Sequence, residues 1–148
     1  MIPLIVKGTL FGLLLLSAAM WDMRSREIPN LIPILLLLCG LIGFRPAASA
    51  AGLFLVGGPF LLAAVLIKRD GFTIGGGDVK LMGACGFVLG VWPGLIQAVL
   101  SLSLAVLTGL VECRMQKQPL SAVRLPLAPF FCFGGVSAYW LTAFTLQI

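Results

Sequence analysis

The chain has 148 residues, 60% of them hydrophobic and only 10% charged, with a net charge of +5 and no histidine; its mean hydropathy is +1.13. A soluble domain carries about 25% charged residues, so a water-facing globule and a disordered chain are both excluded. The basic residues are spread along the chain without the patch or aromatic module of a nucleic-acid binder. The class that remains is an all-α, polytopic membrane protein forming a single domain over residues 1–148.

A helix needs about 20 apolar residues to cross the hydrocarbon core, which leaves room for roughly six spans. The first is expected from about Ile2 to Trp21, a retained helix rather than a cleaved signal peptide, and the second from about Ile28 to Phe44. The third covers about Ala47 to Ile67, kinked at Gly57-Gly58-Pro59. The fourth begins after Asp78 and ends at a Trp92-Pro93-Gly94 turn. The fifth runs from about Leu95 to Glu112 and the sixth from about Leu125 to Thr145.

Charge sets the orientation. Arg24, Arg26, Lys68, Arg69, Lys80, Arg114, Lys117 and Arg124 belong to the odd loops or their edges, against Lys7 and Arg45 on the other side. The positive-inside rule then puts the odd loops in the cytoplasm and both termini outside a cytoplasmic membrane.

Without histidine, a Ser-His-Asp triad, a Cys-His dyad and an HExxH zinc site are all excluded. Cys39, Cys85, Cys113 and Cys132 are widely spaced and contain no CxxC pair; they read as buried thiols. No metal or cofactor is expected. Proton chemistry is left to the acids Asp22, Glu27, Asp70, Asp78 and Glu112, the lysines, Tyr139 or a thiol.

All five acids fall on the predicted cytoplasmic side. Glu27, Asp70 and Glu112 fit loop solvation, and Asp70-Gly71 is an ordinary turn pair. Asp22 instead ends a long apolar helix, where the helix dipole disfavours an anion. Asp78 follows Gly75-Gly76-Gly77 and opens the fourth span, where an N-cap is the structural alternative. Val79 to Trp92 gives roughly 21 Å of helix against a core about 30 Å thick. Asp78 is therefore expected below the membrane surface, with the glycine-rich loop dipping inward ahead of it. An ionisable group there is a functional candidate. Two carboxylates facing one cavity can share a proton, one activating water and the other donating to the scissile carbonyl.

Three blocks complete the pattern: Gly75-Gly76-Gly77-Asp78, the D-x5-I-P-N run from Asp22 through Ile28-Pro29-Asn30, and Pro126-Leu127-Ala128-Pro129-Phe130 followed by Gly134-Gly135. In this order they resemble the type IV prepilin peptidases, GxGD intramembrane aspartyl proteases, over about residues 8 to 140. The resemblance implies catalysis by Asp22 and Asp78, with Gly75 and Gly77 as the motif glycines. It also implies a prepilin or pseudopilin partner whose short basic leader is cut at the cytoplasmic face. The first predicted loop has about six residues and no cysteine, unlike larger members with paired CxxC motifs that also methylate the new N-terminus. Methyltransferase activity is therefore not expected. The compact form looks like peptidases of tight-adherence (Flp) pili or archaeal preflagellin peptidases.

Lys80 could tune Asp78, touch a substrate carboxylate or snorkel; Pro29 and Asn30 mark a helix boundary. Gly86 and Gly90 form a GxxxG packing motif. Pro126 and Pro129 could shape the entry to the sixth span, and a Ser25–Lys80 dyad is the weakest nucleophilic reading. The dipoles make Asp78 the base and Asp22 the proton holder. The competing function is a small ion- or proton-coupled transporter using the same two aspartates; a structural subunit would leave the glycine run and Asp22 unexplained.

Overall fold

The computed structural model describes residues 2–66, 75–117 and 125–145. They form six helices: α1 (Ile2–Ser25), α2 (Leu31–Gly40), α3 (Pro46–Leu66), α4 (Gly76–Leu89), α5 (Val91–Gln116) and α6 (Ala128–Thr145). Among the described residues, three segments are long and apolar enough to cross a membrane: Pro3–Ser25, Pro46–Leu66 and Val91–Met115. The expected positions of Lys68, Arg69, Asp70 and Arg124 lie outside the described residues.

Phe11, Leu15, Leu36, Val56, Leu81, Met82 and Phe131 meet in the core of the bundle. The outward faces are equally apolar, with Leu13, Phe54, Leu66 and Val99 well exposed. Water would penalise that surface at about 25 cal/mol per Å², whereas lipid tails do not. Among the described residues the buried polar side chains are Asp22, Ser49, Gln97 and Ser101.

Close backbone contact joins α3 to α4. A Cβ on Gly86 would overlap the Gly52 carbonyl, and one on Gly57 would lie 2.7 Å from the Gly83 Cα. Dispersion between backbones is the main attraction available where lipid is as apolar as leucine. Gly86 thus serves the packing expected of it, and the Gly90 carbonyl carbon also lies within 2.9 Å of where a Cβ on Gly52 would be, but Gly90 has a second role. It ends α4 at φ 83°, ψ −170°, a region essentially restricted to glycine. The break expected at Trp92-Pro93-Gly94 therefore falls at Gly90, and those three residues enter the first turn of α5. Pro93 fits there because an N–H in the first turn has no intrahelical partner to lose.

Helix α6 is held to α5 by polar side chains. Gln97 Nε2 donates to the Phe131 carbonyl at 3.1 Å and Ser101 Oγ to the Phe130 carbonyl at 2.9 Å. Gly134 and Gly135 leave no space for a side chain against Ser101 and Gln97, which is why the paired glycines follow the Pro126–Pro129 block. Tyr139 donates to the Leu4 carbonyl at 2.6 Å, tying the other end of α6 to α1. Of the four cysteines, Cys39 and Cys85 are buried, Cys113 and Cys132 only partly.

Candidate active site

The first helix does not stop at Trp21 but continues to Ser25, so Asp22 lies inside its last turn rather than just beyond it. Arg26 closes the helix in the left-handed conformation, φ 55°, with its N–H donating to the Asp22 carbonyl at 2.9 Å. A non-glycine residue in that conformation stores strain of order 1–3 kcal/mol. The chain then passes through Glu27-Ile28-Pro29-Asn30 into α2, which starts only at Leu31.

Asp22 is 7% exposed. Its Oδ2 accepts the backbone N–H of Ala128, 106 residues away, at 3.0 Å. Ala128 is the first residue of α6. Its neighbour Pro129 has no N–H, and the Phe130 and Phe131 N–H groups both reach the Leu127 carbonyl. Ala128 therefore carries the donor at this helix start that needs an outside acceptor, and Asp22 supplies it. Asp22 ends α1 as expected, where a helix dipole opposes an anion, but it also faces the start of α6, where negative charge is favoured.

Asp78 lies in the first turn of α4. Of the three glycines, Gly75 is non-helical while Gly76 and Gly77 begin the helix; the residues ahead of Gly75 lie outside the described part. The Gly75 backbone hydrogen-bonds the Asp78 carboxylate, and Asp78 Oδ1 is buried without a partner. A buried acceptor left unpaired costs free energy, and such an atom in a cavity is available to water or substrate.

The two carboxylates are within electrostatic reach of one another and line one cavity of about 270 Å³, with Arg26, Glu27, Ile28, Asn30 and Gly75 to Gly77. The supporting motif residues meet here too. A Cβ on Gly77 would sit 3.1 Å from the Ile28 Cβ, so glycine at 77 lets the Ile-Pro-Asn segment approach. Gly75 faces the Asp78 carboxylate, while Gly76 has open space. Lys80 Nζ donates to Asn30 Oδ1 at 2.9 Å, linking the first and second motifs across 50 positions. Pro29 acts at the helix boundary, its carbonyl accepting the Ile32 N–H at 3.1 Å.

Ser25 and Lys80 are not hydrogen-bonded to each other: Ser25 Oγ donates to the Trp21 carbonyl at 2.9 Å. Sequence reasoning missed Arg26 and Glu27 as cavity residues and the Ala128 N–H as a site group. The proline at 129 was the available signal for the last, because it leaves one amide at the helix start in need of an acceptor. No described group of three or more Cys, Asp or Glu residues could hold a metal ion.

The family model described as type IV leader peptidase matches residues 9–111, a stretch that contains both aspartates. The chain is also similar to a prepilin leader peptidase/N-methyltransferase of Bacillus subtilis (strain 168), 34% identical over 151 aligned positions that cover 89% of this chain. Those positions cover 54% of the relative, so the chain spans about half the length of the curated protein it matches. No solved structure matches the chain.

Proposed function

Because the chain belongs to the type IV leader peptidase family, we propose that it is an intramembrane aspartyl endopeptidase that removes the short basic leader from a type IV prepilin-like or Flp-type pilin precursor. The observation that carries this reading is the single cavity shared by Asp22 and Asp78. One carboxylate, ionised, takes a proton from water as the oxygen attacks the scissile carbonyl. The other, protonated, donates to the developing oxyanion. Collapse of the tetrahedral intermediate expels the amine, which takes up a proton from the pair. The Ala128 bond offsets the dipole reason for giving the proton to Asp22.

The six helices form six crossings in this reading, with Asp22 and Asp78 at the cytoplasmic face and both termini outside. The eight-to-two basic asymmetry supports it, as does the clustering of both aspartates at one end of the bundle. Methylation of the new N-terminus is not part of the proposed activity. The transporter alternative is less well supported, because both aspartates lie at one end of the bundle, at the end of α1 and the start of α4, rather than at its midplane.

The test is incubation of the purified full chain in detergent with a prepilin carrying its leader. A product shortened at one bond, absent with Asp22→Asn and with Asp78→Asn, is expected. Intact substrate, together with ion-dependent uptake into vesicles, would replace the peptidase with a transporter.

A further inference from the structure

At the opposite end of the bundle from the aspartates lies a second cavity of about 440 Å³. Lys7 and Asp22 are separated by 15 positions along α1, so the two cavities are about 22 Å apart along that helix. Lys7 and Arg45 both line this second cavity. They are the two basic residues that the charge pattern separates from the other eight, and their charges are within electrostatic reach of one another. No acid lines the cavity, and every acid among the described residues other than Glu112 belongs to the aspartate cavity. Apart from the hydroxyls of Ser49, Tyr139 and Thr142, the remaining wall is apolar, including Leu4, Ile42, Leu89 and Ala143.

A lysine near the end of a spanning helix ordinarily snorkels to the interface. Snorkelling needs neither a cavity nor a second cation from another part of the chain. Two cations brought together without an acid are a repulsive arrangement unless an anion joins them. An anion bound here would also lie against apolar walls at the end of a membrane bundle. Its chemistry is that of a phosphate group, and the apolar walls favour one that carries acyl chains.

We propose that the Lys7–Arg45 cavity binds the phosphate headgroup of an anionic phospholipid. The inference rests on the membrane-spanning reading and not on the peptidase activity, so each can fail without the other.

Native mass spectrometry of the full chain, delipidated and then titrated with phosphatidylglycerol, tests it against phosphatidylcholine and inorganic phosphate. Retention of phosphatidylglycerol over phosphatidylcholine is expected, with about 30-fold weaker binding by the K7Q/R45Q double variant. K7R/R45K should keep the affinity, showing that charge rather than side-chain shape matters, and the melting temperature of each variant in detergent reports folding. Equal retention of both lipids, or unchanged binding by a folded K7Q/R45Q, would overturn the proposal. Binding of inorganic phosphate that displaces phosphatidylglycerol at equal concentration would overturn the lipid as its source.

Discussion

The carboxylate of Asp22 accepts the backbone N–H of Ala128 at 3.0 Å, so a residue proposed for catalysis also fastens the start of α6 to the end of α1. The two duties separate chemically. An asparagine oxygen can still accept the amide, but an asparagine cannot serve as a proton-exchanging acid.

Asp22→Asn is therefore expected to abolish cleavage while keeping the melting temperature near that of the parent chain. Asp22→Ala should abolish cleavage and also lower stability by about 1–2 kcal/mol, the usual cost of a lost N-cap acceptor. Asp78→Asn should be inactive and folded. Thermal unfolding in detergent beside the cleavage assay measures both, and robust turnover by either asparagine variant would falsify the dyad.

The motif glycines should differ in tolerance. Gly77→Ala places a methyl group 3.1 Å from the Ile28 Cβ and displaces the segment carrying Asn30. A shift of that kind is expected to slow cleavage about tenfold or more. Gly76→Ala points into open space and should be nearly neutral. Ile28→Gly in the Gly77→Ala background removes the Cβ that the new methyl group meets and should restore part of the rate; no recovery would mean that Gly77 acts through something other than its contact with Ile28.

Lys80 and Asn30 form one exposed hydrogen bond. If both act through it, Lys80→Met and Asn30→Ala each cost about 1 kcal/mol, roughly fivefold in cleavage rate, and the double variant is no slower than either single one. Multiplying effects in that cycle would show that Lys80 meets the substrate independently of Asn30.

Packing of α3 on α4 gives a stability contrast. Gly86→Ala forces a methyl group onto the Gly52 carbonyl and should cost about 1–3 kcal/mol by overpacking. Gly58→Ala, with nothing within 4 Å, should be neutral or stabilising by up to about 1 kcal/mol through helix propensity. Melting temperatures of the two variants in detergent decide the point.

Orientation is open to labelling in cells. With the four native cysteines replaced by alanine, a cysteine introduced beside Arg114 should react only after the membrane is permeabilised. One beside Arg45 should react from outside. Reversal of the two would invert the proposed topology.

The sequence by itself determined the membrane class, the approximate positions of six helices and the two aspartates worth testing. Those properties are local: runs of apolar residues, the glycines before Asp78, and the spacing from Asp22 to Ile28-Pro29-Asn30 can be read without knowing what lies across the bundle. Helix ends were less legible where neighbouring breakers compete. Trp92-Pro93-Gly94 reads as the turn, yet the turn forms at Gly90, which takes φ 83°, ψ −170°, while Pro93 is absorbed into the first helical turn. Only the tertiary structure decided that the Asp22 carboxylate meets Ala128, that Gly77 makes room for Ile28, that Lys80 reaches Asn30, and that Lys7 and Arg45 share one cavity. Each joins segments distant in the chain, and which atoms meet across such distances is set by how the helices pack, a property that no single helix encodes.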